Sequence, residues 1–263
     1  MKSKIFLFLF STVLLLESCQ KNVEPATSAE SASSERTVDI LLNHYNFIHQ
    51  RTDAYMSIGT YATLPTQSQD DKSLTANAAT KSANDVLQSA SIGGFNLSLD
   101  ANAVNGLINN DYLGLKSVYG TNASFNFTDA GGIVRAKSLY IPKSLNLSVN
   151  SEQLDNLDLR AGTVINWNKD INNVKGVVFI FAYDPFHSPS TKEAYPKRIS
   201  KAVGNSDTGT YTLKQSDIDG LPKGGRIKMT VGRAGFEIFQ PENSLKTYSL
   251  YGYTLVDAMG IIK

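Results

Sequence analysis

The sequence predicts a mainly β protein, an antiparallel β-sandwich preceded by one N-terminal α-helix. From Ser91 onward, apolar and polar residues alternate with the period of two that is typical of strands with one wet face. Turn-forming pairs such as Gly131-Gly132 and Gly224-Gly225 separate these runs, and no helical pattern intervenes between them. Before residue 56, in contrast, the apolar residues recur at the spacing of a helix.

A targeting segment is expected at the start of the chain. Lys2 and Lys4 precede the apolar run Ile5–Leu16, which is short for a membrane-spanning helix and fits the apolar region of a signal peptide. The run ends in Leu16-Glu17-Ser18-Cys19, which resembles a lipobox, where the signal peptide is cut before a cysteine that receives acyl chains. We therefore expect a lipoprotein signal peptide over residues 1–18 and lipid attachment at Cys19. An ordinary secretory signal is the alternative.

Residues 19–36 are rich in Ser, Ala, Glu and Thr and predict a flexible tether. Residues 37–65 predict a helix, ending near Tyr55, and a loop. The helix has one apolar stripe, made by Val38, Leu41, Leu42, Tyr45 and Ile48. Residues 66–90 are polar and predict a linker, and residues 91–263 predict the sandwich domain.

Ten strands are predicted within the sandwich. The continuous apolar run Val177–Tyr183 indicates a central strand that is covered on both faces. The full set is Phe95–Leu99, Phe125–Phe127, Leu139–Ile141, Leu145–Val149, Ile165–Trp167, Val177–Tyr183, Tyr211–Leu213, Ile227–Val231, Phe236–Phe239 and Thr247–Val256.

Composition excludes several classes of function. The 263 residues include 25 basic and 24 acidic side chains, so the chain lacks the basic excess of a nucleic-acid-binding protein. The single cysteine excludes a disulfide scaffold and a cysteine-ligated metal site. Removal of residues 1–18 would also remove Lys2, Lys4 and Glu17, which leaves equal numbers of basic and acidic residues. We expect no cofactor and no metal.

Three stretches resemble a group of Bacteroidota outer-membrane lipoproteins of unassigned activity, which have an immunoglobulin-like sandwich. They are Leu139–Lys143, the Trp167-bearing stretch Thr163–Asp170 with Gly176–Ile180, and Gly209–Leu213 with the hairpin that follows it. The resemblance covers about two thirds of the chain. It implies an immunoglobulin-like fold with Trp167 in the core, and an outer-membrane location. The stretch Gln20–Glu24 loosely resembles the acidic export signal that some of these lipoproteins carry after the cysteine, which favours surface exposure over a periplasmic face. It offers no catalytic residues.

No catalytic constellation emerges from the residues. His44 and His49 are five residues apart on the predicted helix, which is a poor spacing for shared ligation, and His187 lies in a proline-containing loop. Glu237 lies in a strand without a partnering carboxylate nearby in sequence, so a solvated strand face explains it best. Asp217 lies in a stretch that predicts a helical turn with a capping serine, Ser216.

Tyrosines offer the most plausible interaction chemistry. Tyr251 and Tyr253 share one face of the last strand, and Tyr112 precedes a segment that contains Leu and Gly. An exposed tyrosine ring can stack on a sugar, and neighbouring Asn side chains can hydrogen-bond its hydroxyls. Cross-strand tyrosine pairs also stabilise sheets without any ligand, and this alternative stays open. We take Tyr251, Tyr253 and Tyr112 as candidate binding residues.

The functional expectation is a lipid-anchored protein of the cell envelope that is not an enzyme. It would bind a glycan or a partner protein, and the membrane through its lipid. Two alternatives remain: a carbohydrate-active hydrolase of the cell surface, and a structural subunit of a surface complex that docks through the N-terminal helix.

Overall fold

The chain is built mainly of β-strands, as the alternation predicts. The computed structural model describes residues 52–63, 73–82, 85–100, 106–149, 157–183, 199–242 and 244–263, and fifteen strands and two short helices lie within them. The strands are β1 Ala54–Thr63, β2 Ser73–Thr80, β3 Ser89–Ile92, β4 Phe95–Leu99, β5 Gly106–Asn109, β6 Thr121–Thr128, β7 Val134–Ile141, β8 Leu147–Val149, β9 Leu157–Leu159, β10 Val164–Trp167, β11 Val177–Tyr183, β12 Ile199–Asn205, β13 Thr210–Thr212, β14 Arg226–Phe239 and β15 Tyr248–Ile262. The helices are α1 Tyr112–Lys116 and α2 Gln215–Ile218.

Twelve of these strands form one long sheet. Its order is β12-β11-β14-β15-β1-β2-β5-β4-β3-β6-β7, and β9 also pairs with β15. The other three strands form a second sheet in the order β13-β10-β8. Most strand pairs are antiparallel, as predicted, but β15 pairs in parallel with both β1 and β9. Parallel partners need a long connection, and here most of the described chain lies between β1 and β15.

Residues before 91 belong to this sheet, so the predicted loop and linker were wrong where β1 and β2 lie. β1 is buried on both faces over most of its length, which removes the alternation that would have revealed a strand. β2 does alternate, but its buried positions include Ala76 and Ala78, whose small side chains give a weak apolar signal. Ala54 and Tyr55, the expected end of the N-terminal helix, start β1, and residues 37–51 lie outside the described residues.

The apolar side chains form two large cores that share the β14–β15 hairpin. The first core includes Tyr248 and Leu250 from one end of β15 and side chains from β1 to β7. The second core lies between the β13-β10-β8 sheet and the other end of the hairpin, where Val231 and Val256 belong to it. Two sheets facing each other across this second core give the sandwich-like part of the fold. β14 and β15 reach both cores because they have 14 and 15 residues, respectively.

A belt of buried polar groups separates the two cores at the middle of the hairpin. Arg233 is fully buried, and its Nη1 donates to Asp207 Oδ2 at 2.7 Å. Its Nη2 donates to the carbonyl oxygen and to Oδ1 of Asn168, each at 3.0 Å. On the neighbouring strand, Thr254 Oγ1 accepts from the Leu145 backbone nitrogen at 3.0 Å. The segment that leads from β7 to β8 is thereby held across the hairpin.

Glycine makes this crossing possible. A Cβ at Gly235 would lie 2.1 Å from the Tyr140 carbonyl oxygen, and a Cβ at Gly252 would lie 2.5 Å from Ile141 Cδ1. Both distances are far below van der Waals contact, so β7 can pack directly on the hairpin only where these two residues lack a side chain.

Two predictions about the second core are confirmed and one is wrong. Trp167 is buried there and meets Phe179 nearly edge-on, with the ring centroids 5.5 Å apart. β11 lies between β12 and β14 and is covered on both faces. Ser216 does not cap α2. The residue before the helix is Lys214, and the Asp217 carboxylate reaches back to accept from the Lys214 backbone nitrogen at 2.8 Å.

Replacement of Asp207 by Ala should destabilise the protein strongly, because it leaves the Arg233 guanidinium buried without its counter-charge. Removal of one partner of a buried ion pair costs about 3–5 kcal/mol. The control is Asp158→Ala, which removes an exposed pair with Lys263 at 3.4 Å and should cost no more than about 1 kcal/mol. Urea unfolding measures both changes, and equal losses would contradict the structural role assigned to Arg233.

Candidate binding surface

The β14–β15 hairpin and β1 share a face that points away from both large cores. We call it the outer face. Strand alternation places Tyr251 and Tyr253 of β15 there, opposite Phe236 of β14 on one side and next to Tyr55 of β1 on the other. These four aromatic residues form a small cluster of their own. The prediction that Tyr251 and Tyr253 lie on the same face is thus confirmed.

The two tyrosine rings of β15 are nearly parallel, while the ring of Tyr55 is tilted by 36° against that of Tyr251. The Tyr251 and Tyr253 centroids are 6.0 Å apart with 15° between the ring planes, and Tyr55 lies 6.2 Å from Tyr251. The Tyr253 ring occupies the space beside Gly59 of β1, where a Cβ would lie only 2.2 Å from Tyr253 Cζ. Lys175 Nζ lies 4.1 Å from the centre of the Phe236 ring, in cation–π geometry.

The three candidate tyrosines differ in how far their side chains are buried. Tyr251 is only 4% exposed, because the neighbouring rings pack around it, and burial raises the pKa of its phenol far above the usual value. The expectation that its ring is available to a sugar is therefore wrong. Tyr253 is half-buried on the outer face. Tyr112 lies on α1 and packs against the first core, so the structure does not bring it together with Tyr251 and Tyr253.

A polar cluster continues the outer face beyond the aromatic rings. At its centre is Asp257, whose side chain is almost completely buried. Tyr61 Oη donates to Asp257 Oδ2 at 2.6 Å, and Thr230 Oγ1 donates to Oδ1. Lys228 Nζ lies 3.2 Å from Oδ2, and Thr63 Oγ1 donates to Tyr61 Oη at 3.0 Å. Three neighbouring strands, β1, β15 and β14, supply these groups.

Tyr61 is the member of this cluster that presents a ring to solvent. Its side chain is 38% exposed, while its hydroxyl donates to the Asp257 carboxylate. Partial burial raises the pKa of Tyr61, and the hydrogen bond to the Asp257 carboxylate raises it further. The hydroxyl therefore stays protonated and keeps donating to Asp257, which leaves the ring in a fixed orientation.

Sequence reasoning missed Tyr61, Asp257 and Lys228. A signal was present for Asp257, since an aspartate in the apolar run Thr254–Ile262 must find donors when the run is buried. No signal pointed to Tyr61, because its partner lies 196 positions away in the chain.

The other candidates contribute no further site. Glu237 forms a half-exposed ion pair with Lys137 at 2.8 Å. Cys19, His44, His49 and His187 lie outside the described residues. Where the structure describes the chain, no three His, Cys, Asp or Glu residues come together in a way that could hold a metal ion. In the same ranges, no helix has the length and apolar character needed to cross a membrane.

Two solved structures show distant likenesses to the chain. No protein-family model and no curated protein matches the chain. A tri-modular GH5 (subfamily 4) endo-β-1,4-glucanase from Bacillus licheniformis aligns at 11% identity and a TM-score of 0.24, over 78% of this chain and 37% of that chain. The FN1–FN3 domains of chicken CNTN1 align at 10% identity and a TM-score of 0.18, over 69% of this chain and 62% of theirs. Both TM-scores are too low to support an argument about function.

Replacement of Asp257 by Asn should lower the pKa of Tyr61 towards the ordinary tyrosine value, because it removes the negative acceptor but leaves the burial. A raised tyrosine pKa stabilises the fold below the ordinary pKa, and this contribution is lost as the pH rises through the folded-state value. The variant should therefore lose less stability than the wild type on the alkaline side of pH 10.

Nuclear magnetic resonance of tyrosines labelled with carbon-13 at Cζ measures this pKa, and Tyr61→Phe assigns the signal. Asp217→Asn, whose partner is Tyr211, is the control and should leave Tyr61 unchanged. An unchanged Tyr61 titration in Asp257→Asn would contradict the assignment.

Proposed function

We propose that the protein is a lipid-anchored protein of the cell envelope that binds a glycan on its outer face without catalysis. The observation on which this depends is the exposed ring of Tyr61 in the outer face. The hydroxyl of this ring donates to the buried Asp257 carboxylate at 2.6 Å, which fixes the ring in place. Tyr61 and Tyr253 are diagonal neighbours, because Tyr253 lies opposite Gly59 in the register of β1 and β15. The outer face therefore offers adjacent rings with polar groups beside them.

These groups suit the chemistry of a sugar. A pyranose presents C–H groups on one face, which pack on an aromatic ring, and hydroxyls around its edge. Thr63 and the exposed ammonium group of Lys228 lie around Tyr61 and supply hydrogen-bonding partners at that edge. Sites of this type combine apolar ring surface with a few well-placed polar groups, which set orientation and specificity.

A binding role fits this site better than hydrolysis. A glycosidase generally places two carboxyl groups on either side of the scissile bond. The described outer-face cluster supplies Asp257, and both oxygens of that carboxylate already accept from Tyr61, Thr230 and Lys228. A carboxylate that is held by three donors is poorly placed to attack a sugar or to protonate a leaving group.

The anchor is argued from the sequence. The lipobox-like Leu16–Cys19 motif places the only cysteine where acylation requires it, and the resemblance to Bacteroidota lipoproteins implies the outer membrane, with exposure at the cell surface. Residues 19–36 have the composition of a flexible tether that follows Cys19. A flexible chain of this length would have a mean span of about 23 Å. We also propose that the sandwich around Trp167 is immunoglobulin-like, as the resemblance implies.

Glycan binding can be tested by affinity electrophoresis against a panel of soluble polysaccharides. Tyr61→Ala should weaken retardation by a bound polysaccharide about tenfold, which corresponds to ~1.4 kcal/mol. Tyr61→Phe keeps the ring and should retain most of the binding. Leu99→Ala, which removes an exposed apolar side chain elsewhere, is the control and should bind like the wild type. No retardation on any polysaccharide, or equal binding by Tyr61→Ala, would refute the site, and release of new reducing ends would favour the hydrolase.

The anchor has its own test. Cys19→Ser should leave the membrane fraction on detergent-free fractionation and should lack the added mass of the acyl chains on intact-mass measurement. Two chains on one cysteine hold a protein far more firmly than a single acyl chain, because each buried methylene contributes about 0.8 kcal/mol. A serine variant that stays in the membrane, with the same mass shift as the wild type, would show that Cys19 is not acylated.

A further inference from the structure

The end of the molecule at which the chain enters β1 carries exposed aliphatic side chains. We call it the entry end. Asp53 directly precedes β1, and its backbone nitrogen donates to the Thr247 carbonyl at 2.7 Å, while the Thr247 nitrogen donates to Asp53 Oδ2 at 2.8 Å. The chain therefore enters beside the loop that joins β14 to β15. Leu245 lies in this loop and is 97% exposed.

The turn between β6 and β7 lies at the same end. Gln88, which precedes β3, donates through Nε2 to the Ala130 carbonyl in this turn at 3.3 Å. Asp85, just before it, accepts from Lys246 of the β14–β15 loop at 2.6 Å. The stretch around Asp85 and Gln88 thus touches both turns. Ile133 in the β6–β7 turn is 53% exposed, and Val134, the first residue of β7, is 73% exposed.

The β6–β7 turn is held rigidly in this position. Asp129 Oδ1 accepts from the backbone nitrogens of Gly131 and Ile133, each at 3.0 Å, and Oδ2 pairs with Arg135 at 3.2 Å. Ile133 is therefore presented to solvent by a fixed backbone. A single exposed aliphatic residue is common on soluble proteins, but three on two adjacent turns beside the chain entry indicate a contact surface.

Most charged groups beside the two turns are paired, Lys246 with Asp85 and Arg135 with Asp129. The exposed carboxylates of Asp53 and Glu242 lie at the same end and would stay in the hydrated headgroup layer. The exposed tips themselves are aliphatic. Such a surface matches the boundary between headgroups and acyl chains, where apolar tips are buried and paired charges stay in the hydrated layer.

We propose that the entry end rests on the lipid surface, with Ile133, Val134 and Leu245 inserted into its interface. The occupant is assigned from the place at which the chain enters, because residues 1–51 join the fold at this end and include Cys19. This inference rests on the proposed anchor and adds an orientation to it. The outer face then projects from the membrane, because β1 runs from Ala54 at the entry end to Thr63 beside Asp257. Tyr61 lies about 23 Å along this strand from Ala54, at 3.3 Å per residue, which places it above the headgroups.

The experiment uses tryptophan as a depth probe in the full-length protein. The chain has one tryptophan, Trp167, which is buried in the second core and gives a constant background. Leu245→Trp and Val134→Trp each place a second tryptophan on one of the two turns. Leu113→Trp is the matched control. Leu113 is 81% exposed on α1, which precedes β6, whereas the turn with Ile133 follows β6, so the control probe lies towards the other end of this strand.

Each variant is reconstituted into vesicles of phosphatidylethanolamine and phosphatidylglycerol with brominated acyl chains. Emission from Leu245→Trp and Val134→Trp should shift to the blue and lose intensity relative to unbrominated vesicles, while emission from Leu113→Trp should not change. If the protein floats with the vesicles but the turn probes behave like Leu113→Trp, the orientation is wrong and the anchor stands. If the protein does not float and its intact mass shows an unmodified Cys19, the anchor fails and the orientation with it.

Discussion

The Arg233 guanidinium is the group around which the two halves of this protein are organised. It lies midway along the longest hairpin, where neither apolar core reaches, and it is completely buried. A buried cation is costly unless its charge is paired, so Asp207 and Asn168 must be brought to the two Nη atoms from other parts of the chain, while Nε has no partner among the described residues. Asp207 in turn accepts from Trp167 Nε1 at 2.7 Å, which ties the second sheet to the same point.

The shared hairpin explains why this chain does not divide at residue 91. Each large core needs one end of β14 and β15, and β1 pairs with β15 over its whole length. A strand from the beginning of the described chain is thus held between β2 and a strand from its end. The polar linker and the separate sandwich domain were reasonable predictions from composition, but pairing between distant strands placed the early residues inside the same sheet.

The outer face and the entry end give the two proposals a common geometry. β1 and the β14–β15 hairpin connect them, with the aliphatic turns at one end, where the β6–β7 turn joins them, and the Tyr61–Asp257 cluster towards the other. The strands between them are stiff, so insertion of the aliphatic turns into the lipid surface would hold the ring of Tyr61 at a fixed height. This arrangement suits a receptor for an extended polymer, because the binding surface would face away from the membrane that holds it.

Local pattern by itself determined the strand content, most turn positions, the burial of Trp167 and the shared face of Tyr251 and Tyr253, since these follow from alternation over a few residues. It failed for β1, which is covered on both faces, and for Tyr251, whose burial depends on Phe236 and Tyr55. The prediction of Cys19 as a lipid site rests on the sequence alone. Only the tertiary structure decided that Tyr61 and Asp257 meet and that β1 lies parallel to β15, because contacts between residues almost two hundred positions apart depend on how the whole chain closes, and no local periodicity encodes them.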